Sequence, residues 1–321
     1  MENKALYLQK HGVPASRLVM GCMGLGGGWD PGHVLNAEDV TNAHAAVEAA
    51  LSAGINMFDH ADIYARGRAE QAFGKVLQER PELRERMIIQ SKCGIRQNSF
   101  DFSKDHILSS VDGILGRLGV EYIDILLLHR PDPLMEPEEV AEAFGKLKRA
   151  GKVKGFGVSN MSAEQMKFLQ AHLDEPLLVN QLELSLAKLD WVDSVISVNQ
   201  AAGTSVSFPH GTLEYCRKEN VQIQAWGPLA KGIHTGSVNL DDQPANVRQT
   251  AELVRDMAAQ KAVSPEAIVL AWLMRHPAGI QPVIGTSRPE RIRACAEALQ
   301  VELSREEWYS LYIASRGKRL P

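Results

Sequence analysis

Asp59, Tyr64, Lys92 and His129 are side chains that could move a proton together. The stretch FDHADIY places Asp59, His60, Asp62 and Tyr64 just after an apolar run, more titratable groups than a turn requires. A phenol, with its pKa of about 10, is a poor acid at neutral pH unless nearby cationic charge stabilises the phenolate. Lys92 supplies that charge, Asp59 would anchor and orient the ammonium, and His129 would hydrogen-bond a substrate oxygen or relay a proton. Such a phenol protonates a carbonyl oxygen while hydride reaches the carbon. No protein side chain delivers hydride, so a nicotinamide or flavin is required.

Taken singly, each residue has a plainer reading. An Asp at a strand end is usually a turn or cap residue, a Tyr a half-buried packing aromatic, and a His a satisfied rim residue. Lys92 resists such a reading, because an unpaired ammonium behind an apolar run is costly. The joint placement carries the argument, and it depends on the elements that position these residues.

Short apolar runs alternate with segments of helical spacing along the whole chain. Eight strand candidates cover 17–21, 55–59, 87–92, 123–129, 154–160, 177–183, 221–227 and 281–285. Helical segments are expected at 38–53, 67–79, 104–118, 137–150, 162–172, 211–219, 247–260 and 264–276. Ser103, the Ser162/Gln165 pair, and Ser264 followed by Pro265 are start signals. Continuously apolar strands such as IDILLLH expect cover on both faces, which points to parallel strands with helical crossovers. Eight of them predict a (β/α)8 TIM barrel, one domain over 1–321, with a hairpin in YLQKHGVPASRLVMG closing the barrel bottom. Connections 184–212 and 228–247 are long enough to be functional. In such a barrel, groups at strand C-termini share one mouth, and Asp59, Lys92 and His129 each end a strand candidate.

The 35 Lys and Arg against 39 Asp and Glu leave a net charge of −4 without long single-sign blocks, which argues against a nucleic-acid partner. Cys22, Cys93, Cys216 and Cys295 form no C-x-x-C pair and read as small buried hydrophobes. The N-terminus is polar and no run reaches the roughly 20 apolar residues of a membrane span, so a soluble cytoplasmic protein is expected.

Across nearly its whole length the sequence resembles the aldo-keto reductases, (β/α)8 enzymes that reduce aldehydes and ketones with NADPH and no Rossmann domain. Asp59 and Tyr64 in FDHADIY, Lys92 in IIQSK and His129 in ILLLH match the family's tetrad. GFGVSN and VNQLEL resemble its nicotinamide-carboxamide motifs, which implies Ser159, Asn160 and Gln181 as partners. AWGPLAKG resembles the segment that stacks on the nicotinamide and approaches the pyrophosphate; the resemblance implies Trp226 for stacking and Gly227, Pro228 and Leu229 for the backbone approach. Many relatives have Tyr at the Trp226 position. PVIGTSRPERI resembles the segment holding the adenosine 2′-phosphate, through Gly285, Thr286, Ser287, Arg288 and Arg291. A frequent family Lys is missing there, and Arg288 is expected to replace its charge. NADPH is therefore favoured, with NADH possible. GCMGLGGGW does not open a helix and is no Rossmann fingerprint; the resemblance makes Met23, Gly24 and Trp29 substrate-pocket walls.

Two alternatives stand beside a carbonyl reductase. His60 and Asp62 form an H-x-D arrangement, but a metal hydrolase needs three or four convergent ligands, and no metal is expected. Some members of the family act as nicotinamide-sensing binding proteins with slow turnover, and an intact tetrad is compatible with that role. The sequence fixes neither the physiological carbonyl substrate nor the oligomeric state.

Overall fold

The computed structural model describes residues 6–321. Eight parallel strands close into a barrel in sequence order: β1 (Val19–Gly21), β2 (Met57–Asp59), β3 (Ile88–Cys93), β4 (Ile123–Leu128), β5 (Val153–Ser159), β6 (Leu177–Glu183), β7 (Gln222–Trp226) and β8 (Gln281–Ile284). Val19 paired with Val283 and Met20 with Ile284 make the closure. A helical turn, α1 (Tyr7–Lys10), precedes the barrel. The crossovers carry α2 (Ala37–Ser52), α3 (Arg68–Glu79), α4 (Lys104–Leu118), α5 (Pro137–Arg149), α6 (Ala163–Gln170), α7 (Asp190–Ile196), α8 (Thr212–Lys218), α9 (Ala245–Lys261) and α10 (Pro265–Met274). After β8 come α11 (Pro289–Ala296) and α12 (Arg305–Arg316).

The start signals act as read. Ser103 accepts from the His106 amide, Ser162 and Gln165 form a reciprocal capping box, and Pro265 opens α10 behind Ser264. Besides α1, three helices lie outside the expected set. α7 sits inside the long 184–212 connection, and α11 and α12 follow the last strand, where Trp308 of α12 stacks on Trp272 of α10 at 5.1 Å.

The expected N-terminal hairpin is absent. Its first run is α1, which ends where Gly12 turns left-handed at φ 74°, and the amides of His11 and Val13 both close onto the Leu8 carbonyl. Local closure leaves no ladder for a second strand. The segment still plugs the bottom of the barrel, because Leu6, Leu8 and Ala15 pack against Val19, Met57, Ile88, Ile125 and Val179.

The strand period of two sends alternate residues inward and sets them in tiers. Above the apolar floor lies a polar tier. Gln90 and Gln181 donate to the Gln224 side-chain carbonyl, Gln224 donates to Gln281, and Gln281 donates to the Ser16 carbonyl. One pleat further up, Lys92 and Trp226 reach the mouth.

The β2–α3 loop is held from below. His60 and Asp62 extend the strand ladder by donating to the Gln90 and Lys92 carbonyls. Glu70 of α3 is buried, accepts from Ser91 and pairs with Arg117 at 2.7 Å. Arg68 donates to the carbonyls of Gly26, Gly28 and Asp30, which ties α3 to the loop after β1. Burial, then the neighbouring Glu70 charge, pushes the Asp62 carboxyl up to about 7.

A group with a raised folded-state pKa stabilises the fold at low pH and loses that contribution as pH rises through the folded value. Asp62 should therefore weaken the fold as pH climbs from about 4 to about 7. Asp62→Asn should flatten that part of the profile in urea unfolding measured at pH 5 and pH 8. A Cβ at Gly157 would lie 2.7 Å from the Val179 carbonyl oxygen and 2.7 Å from Leu127. Gly157→Ala should cost about 1–3 kcal/mol through overpacking, seen as a lower urea midpoint.

Candidate active site

Lys92 leaves the end of β3 fully buried, and its three N–H donors are all used. Nζ donates to Asp59 Oδ2 at 2.7 Å, to the His60 carbonyl at 2.9 Å and to the Tyr64 hydroxyl at 3.0 Å. The other Asp59 oxygen accepts from Gln90 at 2.6 Å and Gln181 at 3.1 Å. Burial alone would push the ammonium down, but Asp59 and Tyr64 outweigh it and the Lys92 pKa is raised. Lys92 stays charged.

Burial raises the Tyr64 phenol, and the Lys92 charge only partly opposes that. The sequence suggests a phenol made acidic by Lys92; the structure instead keeps it protonated at neutral pH. His129 meets Tyr64 edge-on at 6.0 Å between ring centroids. Burial, then the charges of Lys92 and Arg130, pushes the imidazole down to about 2, so it is neutral. Its Nδ1 is buried without a partner. Together these groups can present a protonated phenol and a neutral imidazole to one oxygen.

A second cluster lies across the mouth. Ser159 donates to the Gln181 carbonyl, Asn160 donates to the Ser159 hydroxyl at 2.8 Å, and Trp226 Nε1 donates to Asn160 Oδ1 at 3.1 Å. Asn160 adopts φ 59°, a left-handed conformation that Asn tolerates. The Gln181 amide is turned toward Asp59 and Gln224.

Both clusters open into one cavity of about 570 Å³. Asp59, Tyr64, His129, Ser159, Asn160, Gln181 and Trp226 line it, with Met23 and Trp29 on the β1 loop. Its wall continues through Gly227, Pro228 and Leu229 to Gly285, Thr286 and Arg291. Along that wall Gly227, Ala230, Lys231 and Gly232 all have positive φ, so the chain there is sharply folded. Arg291 donates to Ser237 at 3.0 Å.

Three expected wall residues lie elsewhere. Gly24 faces Ser287, whose hydroxyl would sit 3.4 Å from an added Cβ, so the two fill space against each other outside the cavity wall. Arg288 is exposed and paired at 2.7 Å with Glu290, two residues further on. Conversely, the cavity includes Arg130, Lys231, Ser237 and Glu266. Lys231 lies within AWGPLAKG and Arg130 directly follows His129, so both were within reach of motif reading; Ser237 and Glu266 carry no local signal.

His60 and Asp62 do not converge on a metal geometry. His60 is buried edge-on against Phe73 at 4.5 Å, its pKa pushed down to about 3 by burial and then by Lys92. Among the described residues no three His, Cys, Asp or Glu side chains gather as a metal-binding group.

A family model described as "Aldo/keto reductase family" matches residues 17–315. The uncharacterized oxidoreductase YcsN of Bacillus subtilis (strain 168) is 39% identical, over 86% of this chain and 88% of its own. The 6-dehydroglucose reductase of Agrobacterium fabrum is 35% identical, over 95% of this chain and 96% of its own. Among solved structures, the thermostable aldo-keto reductase Tm1743, in complex with the inhibitor epalrestat, superposes with a TM-score of 0.76 at 25% identity, covering 98% of this chain and 100% of that one. With the closed barrel and its cavity already described, matches of this extent lead to a definite assignment: the chain belongs to the aldo/keto reductase family and is an oxidoreductase of carbonyl groups.

Proposed function

We propose that this protein reduces the carbonyl of small aldehydes or ketones to alcohols with NADPH, and that Tyr64 is the proton donor. The observation that carries the reading is the 3.0 Å contact between the saturated Lys92 ammonium and the Tyr64 hydroxyl, in the wall of a cavity shared with His129 and Trp226. NADPH, when bound, supplies the hydride that the carbonyl carbon accepts. The protein's part is to hold the carbonyl oxygen between Tyr64 and His129. As that oxygen gains negative charge, Tyr64 gives up its proton, and the phenolate left behind is stabilised by Lys92. Asp59 keeps the ammonium in place for that moment. Solvent then returns a proton to Tyr64.

The residues fit the cofactor. Trp226 offers a ring fixed at its indole nitrogen by Asn160, and Ser159, Asn160 and Gln181 place polar groups beside it. Cation recognition of the 2′-phosphate falls to Arg291, with Lys231 on the same wall and Thr286 adjoining. Arg288 pairs with Glu290 at the surface, outside the cavity lining. The four cysteines are buried free thiols, which supports a reducing, cytoplasmic setting.

Tyr64→Phe should leave NADPH binding nearly unchanged and lower the reduction rate by roughly 10²–10⁴-fold. Single-turnover measurements check this, and an undiminished rate would remove Tyr64 from the mechanism. Arg291→Met should weaken NADPH by roughly ten- to a hundredfold, the worth of a charge-assisted contact, and leave NADH unaffected. Quenching of tryptophan fluorescence, with Trp226 and Trp29 lining the cavity, reads both titrations. Equal loss for the two nucleotides would take the 2′-phosphate away from Arg291.

A further inference from the structure

We infer that Arg130 makes the substrate end of the cavity select carbonyl compounds that also bear a carboxylate. The inference rests on the carbonyl-reduction reading and adds the second functional group of the substrate.

Arg130 leaves β4 directly after His129 and lines the cavity. Its guanidinium carbon lies 5.7 Å from the centre of the Trp226 ring, a contact that holds the cation at the mouth without neutralising it. Among the described residues the guanidinium makes no hydrogen bond or ion pair. Of the two carboxylates that line the cavity, Glu266 lies near Cys295 and Arg291. Asp59 is taken by Lys92, Gln90 and Gln181, and Asp132 uses its two oxygens for the amides of Phe102 and Leu134.

Apolar side chains of Met23, Trp29, Ile63 and Ile95 also line the cavity. Met23 and Trp29 are about half exposed, at 48% and 51%, and would be covered by a bound molecule. An unpaired cation in a cavity with apolar side chains suits an organic anion, with the hydrocarbon part on Trp29 and Met23 and the anion on the guanidinium. The planar fork matches a carboxylate through two parallel bonds. His129 is held neutral by burial and then by the charges of Lys92 and Arg130, so it offers no competing cation.

The test compares 4-carboxybenzaldehyde with 4-formylbenzamide, which share shape and differ in charge, as substrates with NADPH. The wild type should show the higher kcat/KM for the carboxylate. Arg130→Met should lower the carboxylate-to-amide ratio of kcat/KM by about ten- to a hundredfold, mostly through KM for the carboxylate. Arg130→Lys should keep part of the preference, since it retains charge and loses the fork. A ratio unchanged by Arg130→Met, a wild-type preference for the amide, or equal loss on both substrates overturns the inference while leaving carbonyl reduction intact. A wild type that turns over neither compound overturns it together with the carbonyl reading.

Discussion

A lysine ammonium is sealed in the mouth of the barrel with all three of its protons engaged, and the local structure follows from that constraint. An unpaired ammonium there would be far too costly, so each acceptor must be delivered with sub-ångström care. Asp59 comes from the neighbouring strand in register, the His60 carbonyl from the next residue, and the Tyr64 hydroxyl from the loop beyond. The buried Glu70 carboxylate, paired with Arg117, and the His60–Phe73 contact hold that loop from beneath. A charge placed for one hydroxyl thus dictates how β2, β3 and α3 pack.

Most of the architecture was legible because parallel strands buried on both faces leave continuous apolar runs, and because Ser103, Ser162 and Ser264 mark helix starts with their own hydrogen bonds. The hairpin misreading has a physical origin. Two short apolar runs around Gly12 look alike whether they pair with each other or pack separately on the barrel floor, and only the tertiary partners Met57 and Ile125 decide. The helices α7, α11 and α12 were missed because their faces are satisfied by distant partners. Trp308, for instance, finds Trp272 thirty-six positions earlier.

The site residues divide in the same way. Those on strand ends, such as Asp59, Lys92, His129, Ser159, Gln181 and Trp226, converge because register fixes them. Those on the β8 loop do not follow so simply. Arg288 and Arg291 look equivalent in sequence, yet a neighbouring glutamate claims one and the cavity keeps the other. Charge competition over a single helical turn is not visible from spacing alone. The left-handed residues Ala230 and Lys231 show where backbone strain is accepted, each costing on the order of 1–3 kcal/mol, and they border the cavity.

The glutamine tier beneath the site has a consequence for how this pocket can change over evolutionary time. Gln90, Gln181, Gln224 and Gln281 form one linked chain of amides from Asp59 to the Ser16 carbonyl, so replacing any member strands a neighbour's polar group in a place water does not reach. The floor is therefore locked as a unit. New specificities must arise laterally, by exchanging side chains and lengths in the loops around the rim, and lineages with different substrates should diverge there while inheriting the same amide floor.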